Sequence, residues 1–277
     1  MNNSINDTFF ELRNGIEMPA FGLGVFKIPD GEDVANVVVE AINAGYRGID
    51  TAAIYGNEKG VGLALKKTEL PRSKIFLTSK VWNADQGYKE TLQAFEESLI
   101  KLGTDYLDLY LIHWPVEALF KETWAALEDI YNSGKVRAIG VSNFSVNQLE
   151  RLIMNCRVLP MVNQVEFHPY LQQPELIKYC KSKGILIEAW APIMRGKVSQ
   201  IAEITEIGER YGKNEVQVVL RWNIQRGIAT IPKSSSPERI NSNAEIFDFE
   251  LTGDEINVID NLDKGQRFGP DPENFDF

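Results

Sequence analysis

The sequence predicts an α/β protein, a (β/α)8 TIM barrel entered through an N-terminal β-hairpin and carrying extra helices after its seventh and eighth strands. Three observations predict it. Strand-like and helix-like segments alternate eight times, glycine follows many of the helix-like segments, and 277 residues suit one such barrel, which typically takes about 250. An open doubly wound sheet is the competing architecture, but no Gly-x-Gly-x-x-Gly follows any strand; in GLGVFK, Lys27 stands where the third glycine belongs. A single domain over 1–277 is expected, ending in a C-terminal tail, 265–277.

FFELRNGIEMPAFGLG opens the chain, with Asn14-Gly15 between two short apolar runs. That pair predicts a tight hairpin with positive φ at both centre positions. The repeating units follow: FGLGVF then DVANVVVEAINAGY, YRGID then NEKGVGLALKKT, KIFLTSKV then YKETLQAFEESLIKLG, and YLDLYLIHW then KETWAALEDIYNSG. The second half continues with VRAIGVSN then SVNQLERLIMN, MVNQVEF then QPELIKYCKSKG, ILIEAWAP then AEITEIGERYG and NEVQVVLRWNIQRG, and IATIPKS then SPERINSNA. Gly45, Gly103, Gly134, Gly184 and Gly227 are expected as left-handed caps. Repeated units of this kind demand parallel strands buried on both faces, and eight of them close into a barrel.

Composition narrows the function. Apolar residues at 44% and charged residues at 25% are those of a soluble globular protein. The net charge of −10 and the lack of a basic block argue against nucleic acid or an anionic membrane as partners. The opening residues lack a basic and apolar leader pattern, and no run of about 18 apolar residues occurs, so a cytoplasmic protein is expected. Cys156 and Cys180 form no C-x-x-C pair and are expected as reduced, buried, inert thiols. With His113 and His168 the only histidines, no metal site is expected; His168, in EFHPY, is expected to be structural. A monomer is the default.

In such barrels chemistry gathers where strands end. The predicted strands end on Asp50, Lys80, His113, Ser142-Asn143, Gln164 with Glu166, Trp190, and Lys233-Ser234. Tyr55 follows Asp50 by five positions in DTAAIYGNE. A free tyrosine, with a pKa near ~10, exchanges protons poorly at neutral pH; an adjacent lysine ammonium lowers that value. Tyr55 beside Lys80 is therefore a candidate general acid. Asp50 can pair with a buried Lys80, and a neutral His113 can donate a hydrogen bond to a substrate oxygen. Taken singly, Asp50 reads as a helix cap, Tyr55 as a surface aromatic, Lys80 as a snorkelling cation and His113 as a core histidine. Four such groups at neighbouring strand ends outweigh those separate readings.

GYRGIDTAAIYGNE, FLTSK, YLDLYLIHWP, AIGVSNF, MVNQVEFHP, IEAWAP and IPKSSSPERI together resemble the ordered motifs of the aldo-keto reductase superfamily, and they run from the hairpin to near residue 265. The similarity is greatest to small bacterial glyoxal or methylglyoxal reductases and 2,5-diketo-gluconic acid reductases. It implies that Asp50, Tyr55, Lys80 and His113 form the family's tetrad with Tyr55 as proton donor, and that the cofactor is NADPH. Trp190 offers a face for a nicotinamide ring, and Ser142, Asn143 and Gln164 offer groups for its carboxamide. In KSSSPER, Ser236-Pro237 reads as a helix start whose free N–H groups lie beside Lys233, Ser234 and Arg239, a setting suited to phosphate. By resemblance this is the adenosine 2′-phosphate site, with Asn243 near the adenine. Ala191, where many relatives have serine, and Ser242, where many have glutamate, depart from the pattern.

By the same resemblance Phe26, Trp82 and Trp114 line the substrate pocket. Only ten residues separate His113 from Trp124, and the 190–202 stretch is also brief, so short loops predict a shallow, open pocket. The tail GQRFGPDPENFDF is expected to cover part of it, and its composition predicts mobility. The expected function is NADPH-dependent reduction of small aldehydes or α-dicarbonyls such as methylglyoxal. The alternatives are a 2,5-diketo-gluconate or prostanoid reductase, a non-catalytic NADPH-binding subunit of the potassium-channel β type, and a barrel lyase or isomerase using Lys80 as a Schiff-base amine.

Overall fold

The computed structural model describes residue 5 and residues 7–277. Residues 1–4 and 6, on which part of the no-leader expectation rests, lie outside them. Strands β1 (Phe9–Glu11) and β2 (Glu17–Pro19) pair antiparallel with Glu11 opposite Glu17. The hairpin is as expected, but its turn is not. Gly15 N–H donates to Leu12 O at 2.8 Å, Leu12 N–H donates to Ile16 O at 2.8 Å, and Gly15 alone in the turn has positive φ, 80°. It is thus a three-residue turn in which one glycine takes the left-handed position. Asn14 instead uses its side chain, with Nδ2 donating to Arg137 O at 3.0 Å and Oδ1 accepting from Ile16 N–H at 3.3 Å.

The units follow in the predicted order: β3 (Gly22–Gly24) and α1 (Glu32–Asn43), β4 (Gly48–Asp50) and α2 (Glu58–Lys67), β5 (Phe76–Val81) and α3 (Tyr88–Leu102), β6 (Leu107–Ile112) and α4 (Phe120–Asn132). Then come β7 (Val136–Ser142) and α5 (Val146–Ile153), β8 (Val162–Glu166) and α6 (Pro174–Lys183), β9 (Leu186–Trp190) with α7 (Ala202–Tyr211) and α8 (Glu215–Gln225), and β10 (Ala229–Thr230) with α9 (Pro237–Ala244) and α10 (Gly253–Asp260). Strands β3 to β10 form one parallel sheet in sequence order. Its two edges meet through bridges joining Phe21 to Thr230 and Gly24 to Lys233, so the sheet closes as a barrel. The seam is tight: a Cβ on Gly24 would stand 3.2 Å from Ile231 O. All five glycines expected as caps have positive φ.

Helices coat the barrel by their apolar stripes. On α1 the buried set is Val34, Ala35, Val38, Ala41 and Ile42, one face of a 3.6-residue period, and it joins the main core between sheet and helices. A second cluster joins Leu12 and Met18 of the hairpin region to Phe76, Leu109, Met161 and Ala229 at the starts and interiors of the strands. The hairpin therefore stoppers the N-terminal end of the barrel. Polar side chains collect at the other end. Among the described residues no helix is long and apolar enough to cross a membrane.

Candidate active site

Beyond Asp50 the chain passes Thr51 and Ala52 into a single 3-10 turn, Ala53–Tyr55, in which Tyr55 N–H donates to Ala52 O at 3.0 Å. Gly56 then turns the chain with φ 67°, and Asn57 lashes the segment down. Enclosed completely, Asn57 donates from Nδ2 to Val25 O at 2.9 Å and Ile28 O at 3.0 Å, and its Oδ1 accepts from the Thr51 hydroxyl at 2.8 Å. These bonds fix the five-residue step that puts Asp50 inside the barrel and Tyr55 at its mouth.

Lys80, fully buried on β5, donates to Asp50 Oδ1 at 2.6 Å and to Thr51 O at 3.0 Å. Its Nζ lies 5.1 Å from the centroid of the Tyr55 ring. Burial pulls the lysine pKa down, but Asp50 and Tyr55 more than offset this and leave it raised, so the ammonium persists. The Tyr55 hydroxyl is raised as well: burial is the largest influence, and it outweighs the lowering by Lys80, with Asp50 raising it further. Lys80 depresses Tyr55 as expected, but the net shift is upward, because desolvation of the tyrosinate costs more than one lysine, already neutralised by Asp50, returns. The His113 ring stands edge-on to Tyr55 with centroids 5.6 Å apart. Burial first and Lys80 second hold His113 well below its usual range, so it is neutral at pH 7. Its Nδ1 is enclosed without a partner among the described residues.

On the neighbouring strand ends the amides are interlocked. Ser142 donates its hydroxyl proton to Gln164 O at 2.8 Å, and Asn143 donates from Nδ2 to His113 O at 3.0 Å while its Oδ1 accepts the Trp190 indole N–H at 2.8 Å. Asn143 takes this position with φ 64°. Gln164 Nε2 donates to Asp50 Oδ2 at 2.8 Å and to Glu188 Oε2 at 2.6 Å. Its Oε1 remains an acceptor of the kind a carboxamide N–H needs, and Trp190 is a half-buried plane pinned at its nitrogen. This donor and acceptor set fits a nicotinamide ring.

Lys233, Ser234, Arg239 and Asn243 form a second region beyond β10. Lys233 and Arg239 are exposed, Ser234 and Asn243 are buried, and the Ser236 hydroxyl caps α9 by accepting from Arg239 N–H at 3.4 Å. Two exposed cations beside a helix N-terminus fit a phosphate. Ser242 Oγ accepts from Asn214 Nδ2 at 3.4 Å, and Ala191 adopts φ 50°.

The pocket aromatics split between two settings. Phe26, half exposed, lies 4.9 Å from Tyr55 by ring centroids, and Trp82 stands edge-on to His113 at 5.2 Å. Trp114 is buried against Phe275 and Phe277 of the tail, each at 5.2 Å. Phe277 also stacks on Trp82, 5.9 Å apart and 2° from parallel, and its O accepts from Asn83 Nδ2 at 3.0 Å. The expected shallow, open pocket is therefore corrected: the short loops leave the rim low, and tail aromatics rebuild it. At the tail's root Glu166, paired with the buried His168 at 3.2 Å, accepts from Phe268 N–H at 2.7 Å and Gly269 N–H at 3.0 Å. Gly269 lies so close to Trp190 that a Cβ there would stand 2.3 Å from Cη2. The tail read from composition as mobile is thus tied down across the mouth.

Comparison with known proteins decides the kinship. Residues 20–264 match the model of the Aldo/keto reductase family. The chain belongs to that family. It is 54% identical over 270-odd residues, spanning 99% of both chains, to a glyoxal reductase of Bacillus subtilis, and 43% identical, spanning 98% of both, to methylglyoxal reductase DkgA of Salmonella typhimurium. Its fold superposes with a TM-score of 0.93, at 42% identity and covering 98% of this chain and 99% of the other, on a crystal structure of a Gox0644 variant in complex with NADPH. This aldo/keto reductase is accordingly an oxidoreductase, and the cofactor expected from its sequence is the one that neighbour holds.

Two functional candidates in this reductase escaped the sequence reading. Glu188 lies in ILIEAWAP, where one carboxylate inside an apolar strand was the available signal; its register partner on β8 is Gln164, so both point into the barrel. Asn57 was visible in DTAAIYGNE, but only the folded turn shows its bonds. Of the cysteines, both free, Cys180 is buried as expected and burial raises its thiol to about 12; Cys156 is only partly buried, because the end of α5 leaves it near the surface.

Proposed function

We propose that the chain is an NADPH-dependent reductase of small aldehydes and α-dicarbonyls such as methylglyoxal, with Asp50, Tyr55, Lys80 and His113 as its catalytic tetrad and Tyr55 as general acid. One observation carries this reading: a protonated Tyr55 at the mouth stands between a buried ammonium and a neutral imidazole.

Bound NADPH supplies the hydride that adds to the carbonyl carbon. His113 Nε2–H orients the carbonyl oxygen, and the negative charge that grows on that oxygen draws the proton from Tyr55. Lys80 then faces the tyrosinate, while Asp50 holds the ammonium in place. A raised Tyr55 pKa suits this role, since the acid keeps its proton until an alkoxide, a much stronger base, develops. Trp190, Ser142, Asn143 and Gln164 would hold the nicotinamide and its carboxamide, and Lys233, Ser234, Arg239 and Asn243 the adenosine end. Phe26 and Trp82 flank Tyr55 and His113, and the tail's Phe275 and Phe277 narrow the mouth near Trp114, which favours small substrates over sugars or prostanoids.

A substrate panel tests it. With NADPH, methylglyoxal and glyoxal should give higher kcat/KM than 2,5-diketo-gluconate or a prostanoid endoperoxide. A preference for the larger compounds would overturn the substrate assignment, and NADPH binding without turnover of any carbonyl would favour a binding subunit.

A further inference from the structure

Glu188 has no part in the chemistry just described, yet it is 3% exposed and faces the tetrad from within the barrel. Its Oε2 receives one proton of the Gln164 amide at 2.6 Å while Asp50 Oδ2 receives another at 2.8 Å. Asp50 Oδ1 in turn holds Lys80 at 2.6 Å, so a line of contacts runs Glu188, Gln164, Asp50, Lys80, Tyr55 across the barrel interior. The ionisable groups facing Glu188 are Asp50 from β4, Lys80 from β5 and Tyr55 from the turn after β4. Of its flanking strands, β8 presents Gln164 and, two positions on, Glu166, which is held by His168 and the Phe268 and Gly269 amides, and β10 presents the unionisable Ala229 and Thr230.

The charges in this line do not balance if every acid is ionised. Lys80 can neutralise one carboxylate, and Asp50 is the one in contact with it. A second buried charge with only an amide for a partner is costly, and the group evades that cost by keeping its proton. Burial, then Asp50, raise Glu188 to about 8 against the pull of Gln164 and Lys80. Glu188 is thus neutral where Tyr55 donates its proton and becomes charged as the solution turns alkaline.

We propose that Glu188 is a positioning residue whose carboxyl, coupled through the Gln164 amide to Asp50, sets the charge around Lys80 and Tyr55 and so determines how far into alkaline solution reduction persists. The inference rests on the reductase reading above. The sign follows from Coulomb's law. An ionised Glu188 faces Tyr55 and disfavours a second anion, so it raises the pH at which the tyrosine loses its proton. Reduction, which consumes that proton, is prolonged; alcohol oxidation, which needs the tyrosinate as base, is held back.

The test is kcat against pH, in both directions, for the native protein and Glu188→Gln, with NADPH binding followed by quenching of tryptophan fluorescence as the check on folding. The alkaline limb of reduction should move down by a fraction of a pH unit in the variant, as expected for loss of one charge that acts on Tyr55 more weakly than Lys80 or Asp50. The rising limb of oxidation should move down with it. The variant-to-native ratio should be flat below pH 7 and change only above it. Should the glutamine variant not fold, Glu188→Thr carries the same expectation. Parallel profiles, or a uniform loss at every pH, would overturn the proposal while leaving the reductase reading intact. Absence of turnover by the native protein would sink both.

Discussion

Two aspartates are buried at opposite ends of the barrel and are compensated in opposite ways. Asp108, on β6 near the hairpin end, is 1% exposed and accepts from Arg72 Nη1 at 2.8 Å, Arg137 Nη1 at 2.7 Å and Leu77 N–H at 3.0 Å. Both guanidiniums keep part of their surface in water, Arg137 at 41% and Arg72 at 20%, so neither pays full desolvation. Asp50, 3% exposed at the mouth, has one cation, Lys80, with no exposure at all, and shares a single amide with a second carboxylate. Two cations serve one carboxylate at the base; two carboxylates share one cation at the mouth. The base is a redundant brace, whereas the mouth keeps its proton balance poised, the condition acid catalysis requires.

Removing a cation from each end should expose the difference. Lys80→Met leaves Asp50 buried and unpaired, and should cost about 3–5 kcal/mol in urea unfolding as well as abolishing turnover. Adding Asp50→Asn to it should return much of the stability and none of the activity; if the double variant is no more stable than the single, the cost was one of packing and not of charge. Arg137→Ala at the base, by contrast, should cost no more than about 1 kcal/mol, because the pair is solvent-exposed on one side and Arg72 stays in place. A loss at Arg137 equal to that at Lys80 would erase the distinction between brace and site.

Much of the fold could be read directly because a barrel repeats one local pattern: eight apolar strands, each followed by an amphipathic helix, need no long-range information to be counted. The proposed tetrad was legible for a related reason, since Asp50, Lys80 and His113 each lie at or within one residue of a strand's end and the ends of parallel strands share one face. Glu188 was hidden because its significance depends on register; only the pairing of β8 with β9 sets it beside Gln164. The rim was hidden more deeply. Asn83 and Phe277 meet across 194 residues, and nothing in an acidic, proline-containing tail announces which aromatics it will cover. The lowering of Tyr55 by Lys80 is legible in the sequence, but the net rise is not, because desolvation depends on burial, which no single residue's identity supplies.

The central claim is that Tyr55 gives the proton, and Tyr55→Phe tests it most directly, since the ring that packs against Phe26 and His113 stays and only the hydroxyl goes. NADPH oxidation with methylglyoxal should fall by ~10²-fold or more in kcat relative to the native protein, the usual cost of losing a general acid, while NADPH binding is unchanged. Equal turnover by the two proteins would contradict the account, and the acid would then have to be sought elsewhere at the mouth.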